Sequence, residues 1–394
     1  MNTAGHPLGP TRRALMMGNF VIGCGVMVVA GTLNDMAASL QVSVAVAGQL
    51  IAIAALVMGI GAPLLAVWVS GWDRRRLLVA ALVWYGLGHA LSALMPDYGA
   101  LWPVRALTML AAAVFTPQAA AAIGHMAAPA ERGRSITTVF LGWALASVLG
   151  MPINAWVGET YGWRVAMGGV ALISLVMAVV VHRSMPAGIQ PPGLSLRAWR
   201  GVIANPVLMA MVGVTALAGA GQFTVFSYFA PYFRDVMQAS PGQLALVFGW
   251  FGLFGLAGNL ALSRQVDRIG AHRAVAWLLG LILVSLVLWP LARSVGPMLL
   301  VLVPWGLGCM ASNSAQQARL GHVAPLLAPA LMALNTSAIY LGQAVGAAGG
   351  GWLVSHGGYA YLHWVGLLLV GAALVLSLWA ARACARGAVV PAPH

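Results

Sequence analysis

The sequence predicts an all-α polytopic membrane protein, with 12 transmembrane helices arranged in two six-helix, pseudo-symmetric halves. Three observations carry this. Hydrophobic residues make up 61% of the 394 positions and charged residues only 7%, whereas soluble domains carry about 25% charge. Apolar runs long enough to cross a bilayer, ~20 residues each, recur twelve times. The arginines fall overwhelmingly on one side of those runs.

The runs lie near 14–34, 46–69, 77–95, 101–124, 135–157, 164–182, 206–228, 241–262, 274–292, 297–317, 330–353 and 361–381. Arg12 and Arg13 lead into the first, and no small-residue cleavage site followed by a soluble domain marks it as a signal peptide. A basic turn, Gly71-Trp72-Asp73-Arg74-Arg75-Arg76, separates the second and third. Arg105 heads the fourth, and the fifth is rich in glycine. Between the sixth and seventh lies the one long polar connection, 183–202, with Pro186, Pro191, Pro192, Arg183, Arg197 and Arg200. It divides the chain into halves at 1–182 and 203–394. The second half repeats the plan, with Asp267-Arg268-Ile269-Gly270-Ala271-His272-Arg273 between its second and third runs. Parallel six-helix repeats of this kind are a transporter architecture, with a substrate site between the halves.

With the N-terminus inside, sixteen arginines lie in inner segments, and Arg105, Arg164, Arg234 and Arg293 remain on the outer side. Such a bias fixes orientation and supports an even number of spans. Both termini are therefore expected in the cytoplasm.

Composition also excludes functions. The net charge of +13 comes from arginines scattered through short loops, not from a basic folded domain, so nucleic acid is not the partner. The chain has no lysine, so the Gly-x4-Gly-Lys phosphate loop is impossible and ATP does not drive it. Cys24, Cys309 and Cys384 have no metal-site spacing. No nucleophile with a base, paired acids or His cluster lies at membrane depth, so the chain is not expected to be an enzyme. A non-transporting receptor is expected to carry a large soluble domain or a long tail, whereas the longest polar stretch here is the central connection.

Arg105 is the residue that most needs explaining. A charge at membrane depth costs roughly 2.5–3.5 kcal/mol on insertion scales and marks a functional site by default. The alternative is a guanidinium that snorkels to the headgroups. Only seven acids are available as counter-charges. Asp35, at the end of the first run, is the expected partner and the leading proton carrier, since burial would raise its pKa and an arginine would lower it. His89 in the third run is the reserve candidate.

At this point the residues resemble the major facilitator superfamily, over nearly the whole chain. Asp267-Arg268-x-Gly270 is similar to that family's signature loop, and Asp73 with Arg74 to its displaced first copy, with Ser70 where the family's Asp would stand. The resemblance implies a conformational latch at Asp73, Arg74, Asp267, Arg268 and Gly270. Arg105-Ala106-Leu107-Thr108 resembles the fourth-helix motif, whose Arg is associated with proton coupling, although Met109 replaces the usual Gly. Gly142, Gly150 and Pro152 resemble the fifth-helix motif typical of exporters, serving close helix packing. Residues 221–228 and 335–350 look most like the sugar-efflux and drug–proton antiporter branch.

The resemblance implies a secondary active exporter of small organic solutes, working by alternating access. The expected coupling ion is H+, with no cofactor and no metal. Its cavity would draw on Asn19, Thr116, Gln118, Gln222, Phe226, Tyr228, Trp305, Asn313, Gln316 and Gln317, joined by Asn335, Tyr340 and Gln343. Such a wall pairs amides with aromatic surface and suits neutral or weakly charged, sugar-like, nucleoside-like or drug-like solutes. An importer or passive facilitator is the alternative. The Arg-rich, Lys-free composition points to a bacterial cytoplasmic membrane, and the family to a monomer.

Overall fold

A computed structural model describes residues 8–69, 71–128, 131–190, 196–324 and 327–386. Every regular element among them is a helix. The chain divides into two units, 1–193 and 194–394.

The first unit contains α1 (Leu8–Gly31), α2 (Leu33–Ser39), α3 (Val44–Trp68), α4 (Arg74–Leu94), α5 (Tyr98–Met126), α6 (Arg132–Leu145), α7 (Met151–Tyr161) and α8 (Trp163–Ser184). The second contains α9 (Leu196–Ile203), α10 (Pro206–Phe226), α11 (Phe229–Asp235), α12 (Pro241–Ile269), α13 (Ala271–Leu288), α14 (Val295–Val323), α15 (Ala328–Gly357) and α16 (Leu362–Ala385).

Eleven stretches among the described residues are long and apolar enough to span a membrane. The last, Ala330–Ala385, holds two helices, α15 and α16. They part at Gly358, whose φ of 64° suits a residue without a Cβ. Twelve spans result, as expected. α6 and α7 form one of them, joined by a π-helical turn at Ala146–Gly150. Pro152 follows directly, and its missing N–H leaves a gap in the ladder that such a turn absorbs.

Three details were not anticipated. The first span of each unit breaks and continues as a short helix, α2 or α11. Several helices outrun their apolar runs, so Arg319, expected in a loop, is instead buried in the last turns of α14 and donates to Ser377 Oγ at 2.9 Å. The segment expected as a plain polar linker contains α9.

Capping explains where helices start. Ser43 accepts from Val46 N, Asp97 from Ala100 N, and Asn205 from Val207 and Leu208 N. Ser240 and Gln243 form a capping box. The outer faces are apolar: Leu300 is 72% exposed and Leu368 71%. Such faces suit hydrocarbon rather than water.

The units share one plan. In the first, α1 packs on α5, α6 and α8, α4 on α5 and α8, and α3 on α5. In the second, α10 packs on α14, α15 and α16, α13 on α14 and α16, and α12 on α14. Between residues 41 and 126 the match is residue by residue, at an offset of 197. Gln41 and Gln238 both have φ of 54°. Ser43 and Ser240 cap α3 and α12. The spans starting at Arg74 and Ala271 are both 21 residues long, and those starting at Tyr98 and Val295 both 29. Thr108 Oγ1 donates to the Val104 carbonyl, and Ser285 Oγ to that of Val301, the counterpart of Val104.

Glycines let the helices touch. A Cβ at Gly142 would collide with the Met16 carbonyl, and one at Gly342 with the Ala216 carbonyl. Gly150 lies against Cys24 Sγ. Small residues permit this approach of backbones.

Candidate functional site

In the first unit, α4 and α5 grip three carbonyls on one face of α1. Tyr85 donates its hydroxyl to the Ile22 carbonyl at 2.8 Å. Arg105 donates Nη1 to the Gly25 carbonyl at 2.9 Å and Nη2 to that of Val26 at 3.1 Å. Positions 22, 25 and 26 share a helix face. Arg105 Nη1 also lies 3.3 Å from His89 Nε2. His89 Nδ1 lies 2.9 Å from the Tyr85 carbonyl, which can only accept. With its hydrogen on Nδ1, the neutral ring donates to that carbonyl and offers Nε2 to Arg105 as an acceptor. Arg105 is 1% exposed, and Tyr85 and His89 are 0% exposed. The guanidinium is thus buried rather than snorkelled, and carbonyl dipoles and a neutral ring surround it.

The expected pairing of Arg105 with Asp35 is not formed. Asp35 lies in α2, and its Oδ2 accepts from the backbone N–H of Trp163 at the start of α8. There its charge faces a helix N-terminus, a favourable site for an anion. Asn34 beside it donates to Glu159 at 3.3 Å. Arg164 donates to Ser39 Oγ and the Met95 carbonyl and lies over the Trp163 ring at 4.3 Å.

A second polar group ties α1 to α5 and α6. Asn19 donates to the Val139 carbonyl at 3.0 Å and accepts from Thr116 Oγ1 at 2.7 Å. Gln118 is buried on α5.

The second unit holds an aromatic cluster where α10 breaks. Trp305 donates Nε1 to Gln222 Oε1 at 3.0 Å. Its backbone N–H donates to Ser285 Oγ, so that hydroxyl is inserted into the α14 ladder beside Pro304. Phe226 meets Phe223, Phe229 and Phe251 at 5.4, 5.1 and 5.3 Å between centroids. Phe229 and Phe251 also pack edge-to-face on Trp305. A spacing of four and three would put Gln222, Phe226 and Phe229 on one face of a continuous helix. The helix instead ends at Phe226, and Phe229 opens α11. Phe226 and Phe223 stay half-buried while Phe229 and Trp305 are buried.

Other expected cavity residues use their polar groups between helices. Tyr228 donates to the Ala347 carbonyl at 2.9 Å, Thr215 to Asn335 Oδ1 at 2.6 Å, and Gln316 to the Met211 carbonyl. Tyr340 is buried, and Asn313, Gln317 and Gln343 are half-buried.

The loop residues differ from a free latch. Asp73 caps α4 through Arg76 N at 3.0 Å and accepts from Gly188 N. Burial acts to raise its pKa, but these donors, Ile189 N and the charge of Arg75 outweigh it and hold the carboxyl below its usual range. Arg74 is buried and donates to the Val69 and Trp72 carbonyls. Arg74 N donates to the Ile189 carbonyl, and Gln190 Nε2 to that of Gly71, so the start of the connection is stitched to this loop. Gly270, with φ of 84°, joins α12 to α13, and Arg268 is exposed. Ser70 and the side chain of Asp267 lie outside the described residues. Among the described residues, no group of three or more His, Cys, Asp or Glu could hold a metal.

Sequence reasoning missed Tyr85 and Gly25 and held His89 in reserve. The signal was there. Tyr85, His89 and Ser92 recur at intervals of four and three, one polar stripe on an apolar helix.

Among the described residues, twelve apolar helices fall in two like-folded units, the architecture of a membrane transporter. The chain belongs to the Major Facilitator Superfamily, whose model matches residues 15–326 and 215–390. It is 29% identical over 370 residues to the inner membrane transport protein YdhP of Escherichia coli K12, covering 94% of this chain and 95% of that protein. It is 26% identical over 361 residues to a probable sugar efflux transporter of Pasteurella multocida, covering 91% and 89%. A mutant of the peptide transporter POT in complex with alafosfalin has the same fold, with a TM-score of 0.76 at 17% identity over 98% of this chain and 96% of that one.

Proposed function

We propose that this chain is a secondary active exporter, a single polypeptide that moves small organic solutes out of a bacterial cell in exchange for protons by alternating access. Both termini then lie in the cytoplasm, as the arginine bias requires. The carrying observation is the buried guanidinium of Arg105, held by dipoles of α1 in a family of transporters. A charge kept within an apolar span marks a functional site by default.

Coupling is assigned to Arg105 and, separately, to Asp35. Arg105 holds α1 against α5, so a change in its partners changes helix contacts. Asp35 links α2 to α8, where protonation would weaken its hold on Trp163 N. In the second unit, substrate contacts are assigned to the half-buried Phe226, Asn313 and Gln317, backed by Gln222 and Trp305; in the first unit, they are assigned to Asn19, Thr116 and Gln118. An aromatic wall with amides and no charge suits neutral sugar-like, nucleoside-like or drug-like solutes. The sugar efflux relative supports export. The loop residues Asp73, Arg74, Asp267, Arg268 and Gly270 act as the latch.

The test is transport direction. Everted membrane vesicles from cells with and without the protein are energised, and accumulation of L-arabinose, uridine and chloramphenicol is followed. An exporter accumulates one of them in everted vesicles and loses it on collapse of the pH gradient. Accumulation confined to right-side-out vesicles would make it an importer.

A further inference from the structure

We propose that His89 is the proton-carrying partner of Arg105, and that the protonated ring and the guanidinium compete for the Gly25 carbonyl. This rests on the proton-coupled reading above and names the group that takes up a proton at Arg105, separately from Asp35.

The geometry defines two states of one site. In the state described, Nδ1–H donates to the Tyr85 carbonyl and Nε2 accepts from Arg105 Nη1. A proton arriving at Nε2 consumes the lone pair that Arg105 uses. It also leaves two cations about 3.3 Å apart. The acceptor within reach of the new N–H is the Gly25 carbonyl, 3.4 Å from Nε2, which Arg105 already holds. The guanidinium must then withdraw, and α5 loosens its grip on α1. Deprotonation restores it. The proton enters and leaves as such, and no bond other than N–H forms or breaks.

Two further observations separate this from a packed core histidine. The first is Gly25. A Cβ there would lie 2.5 Å from the Tyr85 hydroxyl and 2.7 Å from His89 Nε2, so glycine is what admits both groups to the α1 backbone. The second is the internal repeat. At the offset of 197, Tyr85, His89 and Arg105 correspond to Ile282, Leu286 and Leu302, all 0% exposed. The same scaffold, in the same chain, packs these three places with aliphatic side chains. Packing alone therefore gives no reason for the cluster, and burying it costs free energy that an apolar set would not.

The surroundings leave the proton few other homes. Arg105 faces His89 from α5. On its own helix Tyr85 is committed to the Ile22 carbonyl. From α1 the ring meets the Gly25 carbonyl, while Cys24 faces Gly150 on the opposite side. α8 brings Ala171 and Leu175 against Gly86 of α4, and its own Arg164, His182 and Arg183 stand at its two ends.

The test is 15N NMR of the full chain in nanodiscs, labelled at histidine and arginine, from about pH 8 to about pH 3, a range that extends below the ordinary histidine range. His89→Gln and Arg105→Leu proteins assign the two sets of signals. The expected result is a neutral ring with its hydrogen on Nδ1 at the alkaline end, which gains a proton at Nε2 on acidification while the Arg105 Nη signals shift over the same range. A ring that stays neutral throughout, an Nε2–H tautomer at the alkaline end, or a titration that leaves Arg105 unmoved would overturn the proposal. Linkage in the spectra without proton movement during transport would instead sink the exchange reading and leave the switch standing. Transport-linked proton movement with an inert His89 would place the proton elsewhere.

Discussion

Leu302 stands in the second unit where Arg105 stands in the first, at the same step of equally long helices, and both are fully buried. One position in a duplicated scaffold is thus filled by an aliphatic group in one copy and by a guanidinium in the other. Differences of this kind locate function, because the packing problem is the same in both copies.

The first prediction follows from that pair. Arg105→Leu should insert and fold at near-wild-type abundance, because the scaffold already packs leucine there, and should abolish transport. Arg105→Ala should abolish transport too, with lower stability from the space it leaves. Fluorescence-detected size exclusion reports abundance, and vesicle flux at matched abundance reports function. Normal flux in either variant would reduce Arg105 to an anchor.

Asp35→Asn keeps an acceptor for Trp163 N and removes the charge. If Asp35 takes part in coupling, uphill transport should be lost while substrate exchange continues. Asp35→Ala removes the acceptor as well and should cost a further ~1–3 kcal/mol, the cost of a partly buried donor left unpaired. Unaltered uphill transport in Asp35→Asn would leave it a structural cap on α8.

Gly142→Val and Gly342→Val should each destabilise their own unit by about 1–3 kcal/mol, since a side chain there must push back a helix carbonyl. Gly168→Ala is the control, because a Cβ there meets nothing within 4 Å. Thermal unfolding in detergent distinguishes them, and equal melting of all three would refute the close-packing role.

Asp73 gives a pH dependence with a definite sign. Its folded pKa is depressed, so the hold it provides on Gly188 is fully present above the ordinary carboxylate range. That hold is lost as pH falls through the depressed value. Proteolysis of the 183–202 connection should therefore accelerate in acid, and Asp73→Asn should show the faster cleavage already at neutral pH. An identical pH profile for wild type and Asp73→Asn would contradict this.

The span count and the two-half plan were legible because they rest on hydropathy and arginine placement, which the bilayer enforces everywhere, and the family was legible from its loop and helix motifs. The break at Ser227 and Tyr228 was not, since nothing in an apolar run marks where its backbone bends. Arg105 stood out as a charge in an apolar run, but its partner was misjudged. The sequence offers carboxylates as counter-charges, whereas the fold supplies backbone carbonyls, which every residue possesses and no sequence pattern displays. Asn19, Tyr228 and Asn335, expected at the cavity, also make helix-to-helix bonds, which depend on how each helix is turned and are not legible in the sequence.

The most direct measurement is proton movement in proteoliposomes loaded with a pH-sensitive dye and challenged with L-arabinose, uridine and chloramphenicol. Proton-coupled exchange predicts a pH change that appears with a particular compound, and that disappears in Arg105→Leu at equal reconstitution. Compound flux with no accompanying pH change would contradict it and make the protein a facilitator or a carrier coupled to another ion.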